Sequence, residues 1–107
     1  MNEQKLLDTP AELQQKFRSL ASAWKVDEGV SSSLSERFAH PAYQQIISIG
    51  EPVIPLILAE LERDPDWWFA ALKSITGDDP VPDASRGRLK ELTRAWLDWG
   101  RKRGLRW

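Results

Sequence analysis

The sequence predicts an all-α protein of about five helices, and three observations predict it. Prolines and glycines punctuate the chain at helix-like intervals, apolar residues between them recur at three- and four-residue spacing, and no β-branched run alternates with polar residues as a strand would. A length of 107 residues suits one domain with one core. The expectation is therefore a single α-helical domain over residues 1–107, with a flexible N-terminus at 1–8 and a basic tail at 101–107.

Five of the seven prolines follow a residue able to open a helix: Thr9-Pro10, His40-Pro41, Glu51-Pro52, Asp64-Pro65 and Asp79-Pro80. Proline suits the first helical position, where its missing N–H is not needed. The first helix is expected over residues 10–25. Thr9 is its N-cap, Glu12 completes a capping box, and Leu13, Phe17, Leu20, Ala21 and Trp24 form one apolar stripe. Residues 27–35, with Gly29 and Ser31-Ser32-Ser33, read as a loop.

A short second helix is expected from Pro41 to Gly50, burying Tyr43, Ile46 and Ile47. The third spans residues 52–63. Its main stripe is Ile54, Ile57, Leu58 and Leu61, while Val53 and Leu56 fall elsewhere on the wheel, so more than one neighbour should cover it. The fourth starts at Asp64-Pro65 and ends at Gly77, with Trp68, Ala71, Leu72 and Ile75 inward; Gly50 and Gly77 act as stops. After an acidic, Pro-containing connection at 78–84, the last helix runs from about residue 85 towards 103. Leu89, Leu92, Thr93, Trp96, Leu97, Trp99 and Gly100 share its broad apolar arc.

Composition excludes several classes of function. Cys is 0, so disulfides, thiolate metal sites and cysteine nucleophiles are excluded; His is 1, so a multi-histidine metal site is too. Net charge is −1, which gives no bulk argument for a nucleic-acid or membrane partner. The N-terminal Met1-Asn2-Glu3-Gln4-Lys5 lacks the basic-then-apolar pattern of a signal peptide, and the densest apolar stretch, residues 53–61, is interrupted by Pro55 and Glu60. A cytoplasmic location is expected.

Several residues carry a specific resemblance. Ile49-Gly50, the run from Val53 through Leu61, the Asp64-Pro65-Asp66 turn and the Ala70-Ala71-Leu72…Ile75…Gly77 ending resemble a HEAT-type helical repeat. That resemblance implies a right-handed stack of the middle three helices, capped by the first and last, with a broad binding face. The chain departs from it at Trp67-Trp68-Phe69, where HEAT-like repeats often carry Arg or Val, and in having one clear unit where a solenoid needs three or more. The wider block from His40-Pro41-Ala42-Tyr43-Gln44 through Asp79-Pro80-Val81 to Ala95-Trp96-Leu97-Asp98-Trp99-Gly100 is similar to a small family of uncharacterised bacterial proteins. It implies a bacterial protein and transfers no catalytic residue.

No catalytic, cofactor or metal residue is expected. His40 reads as a polar residue at a helix start rather than a general base. Ser31, Ser32 and Ser33 lack a GxSxG elbow. Asp78, Asp79 and Asp83 lack the spacing of a calcium loop and suit a helix stop followed by a turn.

Tryptophan and charge carry the functional signal. Six Trp residues are many for this length; Trp24, Trp68 and Trp96 fall on core stripes, whereas Trp67-Trp68-Phe69, if helical, would cover over half a helix circumference. Buried packing is the plain reading of that aromatic run, and an exposed recognition surface the functional one. Residues 85–107 carry eight basic residues against Glu91 and Asp98, a net +6, while residues 1–84 carry −7. Lys90, Arg94 and Arg101 lie within ~40° on the helix wheel. This stripe could serve the helix dipole, face the chain's own acidic remainder, or meet a ligand.

These features predict a non-enzymatic protein–protein interaction module of a bacterial cytoplasmic protein, with antitoxin- or immunity-like capture as the suggested subclass. Its partner is expected to be a protein with an acidic surface, met through Trp67, Phe69, Lys90, Arg94, Arg101, Arg103 and Trp107. Nucleic-acid binding through the basic last helix is the alternative; no cofactor and no membrane are expected.

Overall fold

A computed structural model describes residues 10–27, 33–81 and 88–107. Among these residues all regular structure is helical: α1 (Pro10–Val26), α2 (Leu34–Phe38), α3 (Pro41–Ile49), a 3-10 turn (Glu51–Val53), α4 (Ile54–Arg63), α5 (Phe69–Thr76) and α6 (Leu89–Lys102). The chain divides into two compact units, Met1–Ser48 and Ile49–Trp107. The expected Thr9 cap, the N-terminus at 1–8, Gly29 with Ser31 and Ser32, and Asp83 lie outside the described residues.

In the first unit, α1 follows the expected stripe, with Phe17, Ala21 and Trp24 buried and Leu13 and Leu20 half-buried. The expected loop at 27–35 is corrected at its end, where α2 begins at Leu34. The Ser33 side chain accepts the Glu36 N–H at 3.3 Å, an N-cap that satisfies a donor the short helix cannot. The Ser-x-x-Glu spacing that announces such a cap is legible in the sequence, but five residues are too few for periodicity to register. Trp24 donates its indole N–H to the Arg37 carbonyl at 2.8 Å and packs on Tyr43 with centroids 5.0 Å apart. The Arg37 guanidinium, buried with the residue 7% exposed, lies 4.1 Å from the centre of the Trp24 ring.

His40 caps α3, and Pro41 opens it. His40 Nδ1 accepts the Ala42 N–H at 3.0 Å, which puts the neutral ring's proton on Nε2, where it is donated to Asp27 at 2.5 Å. Both ring nitrogens thus serve the connection between α1 and α3.

In the second unit the expected helix at 52–63 is corrected to a 3-10 turn followed by α4. Pro52 and Pro55 lack N–H donors, so α-helical bonding cannot run through them; Val53 instead donates to the Gly50 carbonyl at 3.0 Å, and the α-helix starts at Ile54. Ile54, Ile57, Leu58 and Leu61 are buried as the stripe predicts, and so is off-stripe Val53. Within this unit α4 packs chiefly on α6 and also on α5 and the 3-10 turn.

The expected start of the fourth helix at Asp64-Pro65 is likewise corrected to Phe69. Pro65 biases Asp64 away from helical dihedrals, and Asp64 takes φ −153° and ψ 81°. Asp66 then holds the turn: its carboxylate accepts the Trp67 N–H at 2.7 Å and its carbonyl the Trp68 N–H at 2.9 Å. Trp67 and Trp68 therefore precede α5 and do not fan around it. Trp68 is fully buried and Phe69 is 7% exposed. Leu72 and Trp96 are fully buried, as their stripes require. The last helix, expected from about residue 85, begins at Leu89 after an extended Arg88, with residues 82–87 outside the described set.

Candidate functional site: the C-terminal end of α6

Gly104 makes the end of α6. It takes φ +75°, a left-handed conformation that costs a side-chain-bearing residue about 1–2 kcal/mol. Its N–H donates to the Arg101 carbonyl and the Leu105 N–H to the Gly100 carbonyl, each at 3.0 Å, the paired bonds of a Schellman motif. The chain is thereby turned back on its own unit, and the expected basic tail at 101–107 becomes the last two residues of α6, a cap and a docked end. Gly100 supplies the seat: a Cβ there would lie 2.7 Å from Leu58 Cδ1 and 2.9 Å from Trp107 Cζ3.

Two similar clusters flank this helix end. In one, Asp78 accepts the Trp99 indole N–H at 3.0 Å and the Arg103 guanidinium at 2.6 Å, and Arg103 lies 4.8 Å from the centre of the Trp99 ring. In the other, Glu62 accepts the Trp107 indole N–H at 3.1 Å and Arg101 at 3.2 Å, and Arg101 lies 5.7 Å from the Trp107 ring centre. Each carboxylate thus ties one indole and one guanidinium together. Asp78 is set by its neighbour: the Thr76 hydroxyl donates to the Leu72 carbonyl at 2.8 Å and accepts the Asp78 N–H at 2.9 Å, fixing the turn after α5.

The expected contact residues separate in this geometry. Arg101 and Trp107 meet in one cluster and Arg103 anchors the other. Lys90 and Arg94 are exposed on α6 and make no ion pair among the described residues; the same holds for Lys102 and Arg106. Phe69 is buried, so its ring serves the core of the second unit rather than open surface. Trp67 is half-buried and meets Phe69 edge to face, with centroids 5.7 Å apart.

Glu62, Asp78, Trp99 and Lys102 were not expected at the site. The indole and guanidinium partners of Glu62 and Asp78 lie 21 to 45 residues away in sequence, so no local pattern announces those two carboxylates. Elsewhere on the second unit, the hydrogen bond and charge of Glu60 hold the Arg63 guanidinium above its ordinary pKa, which only reinforces its positive charge.

Among the described residues no three His, Cys, Asp or Glu side chains converge to hold a metal ion, and no single helix is long and apolar enough to cross a membrane. No family model, curated protein or solved structure matches the chain.

Proposed function

We propose that the chain is a non-enzymatic protein–protein interaction module of a bacterial cytoplasmic protein, built around a HEAT-like helix pair. The end of α6 is its contact surface, the partner presents an acidic face, and capture of an antitoxin- or immunity-like kind is the subclass. The pair of Trp–Arg–carboxylate clusters carries this reading. Trp and Arg dominate interface hot spots, and side chains already fixed before binding lose little entropy on contact. Lys90, Arg94, Lys102 and Arg106 add positive charge that speeds encounter with an acidic surface. Affinity capture followed by calorimetry with the purified partner tests it: Lys102→Glu and Trp99→Ala each weaken binding by about tenfold or more, equivalent to about 1.4 kcal/mol. Binding unaffected by both variants removes this surface from the reading.

The same four cations support nucleic-acid binding as a second reading. A gel shift with random duplex tests it, since four neutralised phosphates give a log–log salt slope of about −3.6. Absence of a salt-sensitive shift sets that reading aside.

A further inference from the structure

We propose that His40 is a pH-operated catch at the joint of α1, α2 and α3, holding the start of α3 while its ring is neutral and releasing it when the ring is protonated. The ring is the chain's one imidazole, and its side chain is 18% exposed, so protons reach it while its contacts stay fixed. Its two nitrogens have opposite duties. Nδ1 must present a lone pair, because it accepts the Ala42 N–H at 3.0 Å. Nε2 faces the Asp27 carboxylate at 2.5 Å and must carry a proton. Only the neutral tautomer with its proton on Nε2 meets both demands.

Protonation keeps one contact and destroys the other. A charged imidazole donates from both nitrogens, so Nε2 stays on Asp27 as an ion pair while the new Nδ1–H confronts the Ala42 N–H. Two donors cannot bond, and the added positive charge stands at the N-terminal end of α3, where the helix dipole opposes it. Ala42 is 5% exposed, so water is poorly placed to accept its N–H instead. The Asp27 side of the joint therefore holds and the α3 side gives way.

The backbone carries the change inward. The His40 N–H and the Trp24 indole N–H share one acceptor, the Arg37 carbonyl, at 3.3 Å and 2.8 Å. Tyr43, next to Ala42, is fully buried and packs on Trp24. A shift of His40 away from α3 thus reaches Trp24, in the core of the first unit, through a single carbonyl. Among the described residues the other charged groups at this joint are Lys25 and Asp27 from the end of α1 and Glu36 and Arg37 from α2, while α3 carries none; Asp27 alone bonds the ring. Lysine and arginine keep their charge near neutral pH, whereas histidine is the side chain whose ordinary range falls between about pH 5 and 8.

Nitrogen-15 spectra of the full chain, followed from about pH 8 to about pH 5, test the proposal. At the upper end the ring is expected to carry its proton on Nε2 and none on Nδ1. As Nδ1 gains a proton, the Ala42 amide should move in the same step towards the position of an unbonded amide, and the Trp24 indole N–H should shift with it. The Glu36 amide is the internal reference, because its cap is the Ser33 hydroxyl, which does not titrate in this range. His40→Asn supplies a cap that accepts from Ala42 without titrating, and both responses should vanish in it. A proton on Nδ1 at the upper end, an Ala42 or Trp24 signal that ignores the His40 step, or a response that survives in His40→Asn overturns the proposal. So does a Glu36 amide that moves in the same step, because the unit would then open as a whole. The parental chain decides the question alone if His40→Asn fails to fold.

Discussion

Each unit pairs tryptophan with arginine, and the pairs differ in what closes them. In the first unit the Trp24 indole N–H goes to the Arg37 backbone carbonyl, and both residues are buried. In the second, the Trp99 and Trp107 indoles go to the side chains of Asp78 and Glu62, and the partner arginines are exposed. The first arrangement joins α1 to α2 in a desolvated setting, where a cation–π contact is worth about 2 kcal/mol or more. The second sits in water, where the same contact is worth about 0.5–1 kcal/mol and an exposed ion pair about 0–1. One chemical pair thus serves as structure when buried and as a fixed surface when exposed.

The sharpest break would come from the buried pair. Trp24→Ala is expected to cost about 3–5 kcal/mol in urea unfolding, the range for truncating a large buried aromatic, because Tyr43 and Arg37 both lose their packing surface. Leu72→Ala, its matched control in the core of the second unit, is expected to cost about 2–5 kcal/mol. A loss under about 0.5 kcal/mol at either position is surface behaviour and would mean that the face is wrongly assigned.

The fate of these two residues also shows what the sequence makes legible. Trp24 and Leu72 lie on stripes whose spacing survives any modest error in helix ends, and both are buried. The boundaries depended on finer effects. Pro52 and Pro65 each suit a helix start by rule, yet Pro52 lies in the 3-10 turn and Pro65 precedes α5 by four residues because Asp66 bonds the next two N–H groups. That difference displaced Trp67 and Trp68 from the helix. Among the site residues, Arg101, Arg103 and Trp107 stood out by composition. Glu62 and Asp78 did not, because a carboxylate becomes an anchor only when folding brings a distant indole to it.

The docked end offers a finer probe of the exposed side. Gly100→Ala removes a helix-interior glycine, which alone would stabilise by about 1 kcal/mol. The added methyl would meet Leu58 and Trp107 at under 3.0 Å, and overpacking of this kind costs about 1–3 kcal/mol. Crowding is expected to win because Leu58 is fully buried and cannot retreat, leaving a net loss of about 1 kcal/mol. Trp107 is the freer partner, so its indole N–H signal in a nitrogen-15 correlation spectrum should move towards that of a solvent-exposed tryptophan. A gain in stability with that signal unchanged would show that the chain end does not use Gly100 as its seat.

The smallest expected effect bears most directly on the difference between the two pairs. Arg103→Ala removes the guanidinium from Asp78 and from over Trp99, but all three groups are solvent-accessible to some degree. Stability should fall by less than about 1 kcal/mol, since an exposed ion pair contributes about 0–1. The Trp99 indole N–H still has Asp78 as its acceptor, so its resonance should shift without disappearing. Affinity for a partner at this surface should fall more than stability does, because the ring loses a support that fixes its orientation before contact. A loss above about 2 kcal/mol would place Arg103 with Arg37, as a residue held for stability. The distinction between a structural and a presented Trp–Arg pair would then have to rest on Arg101 and Trp107 alone.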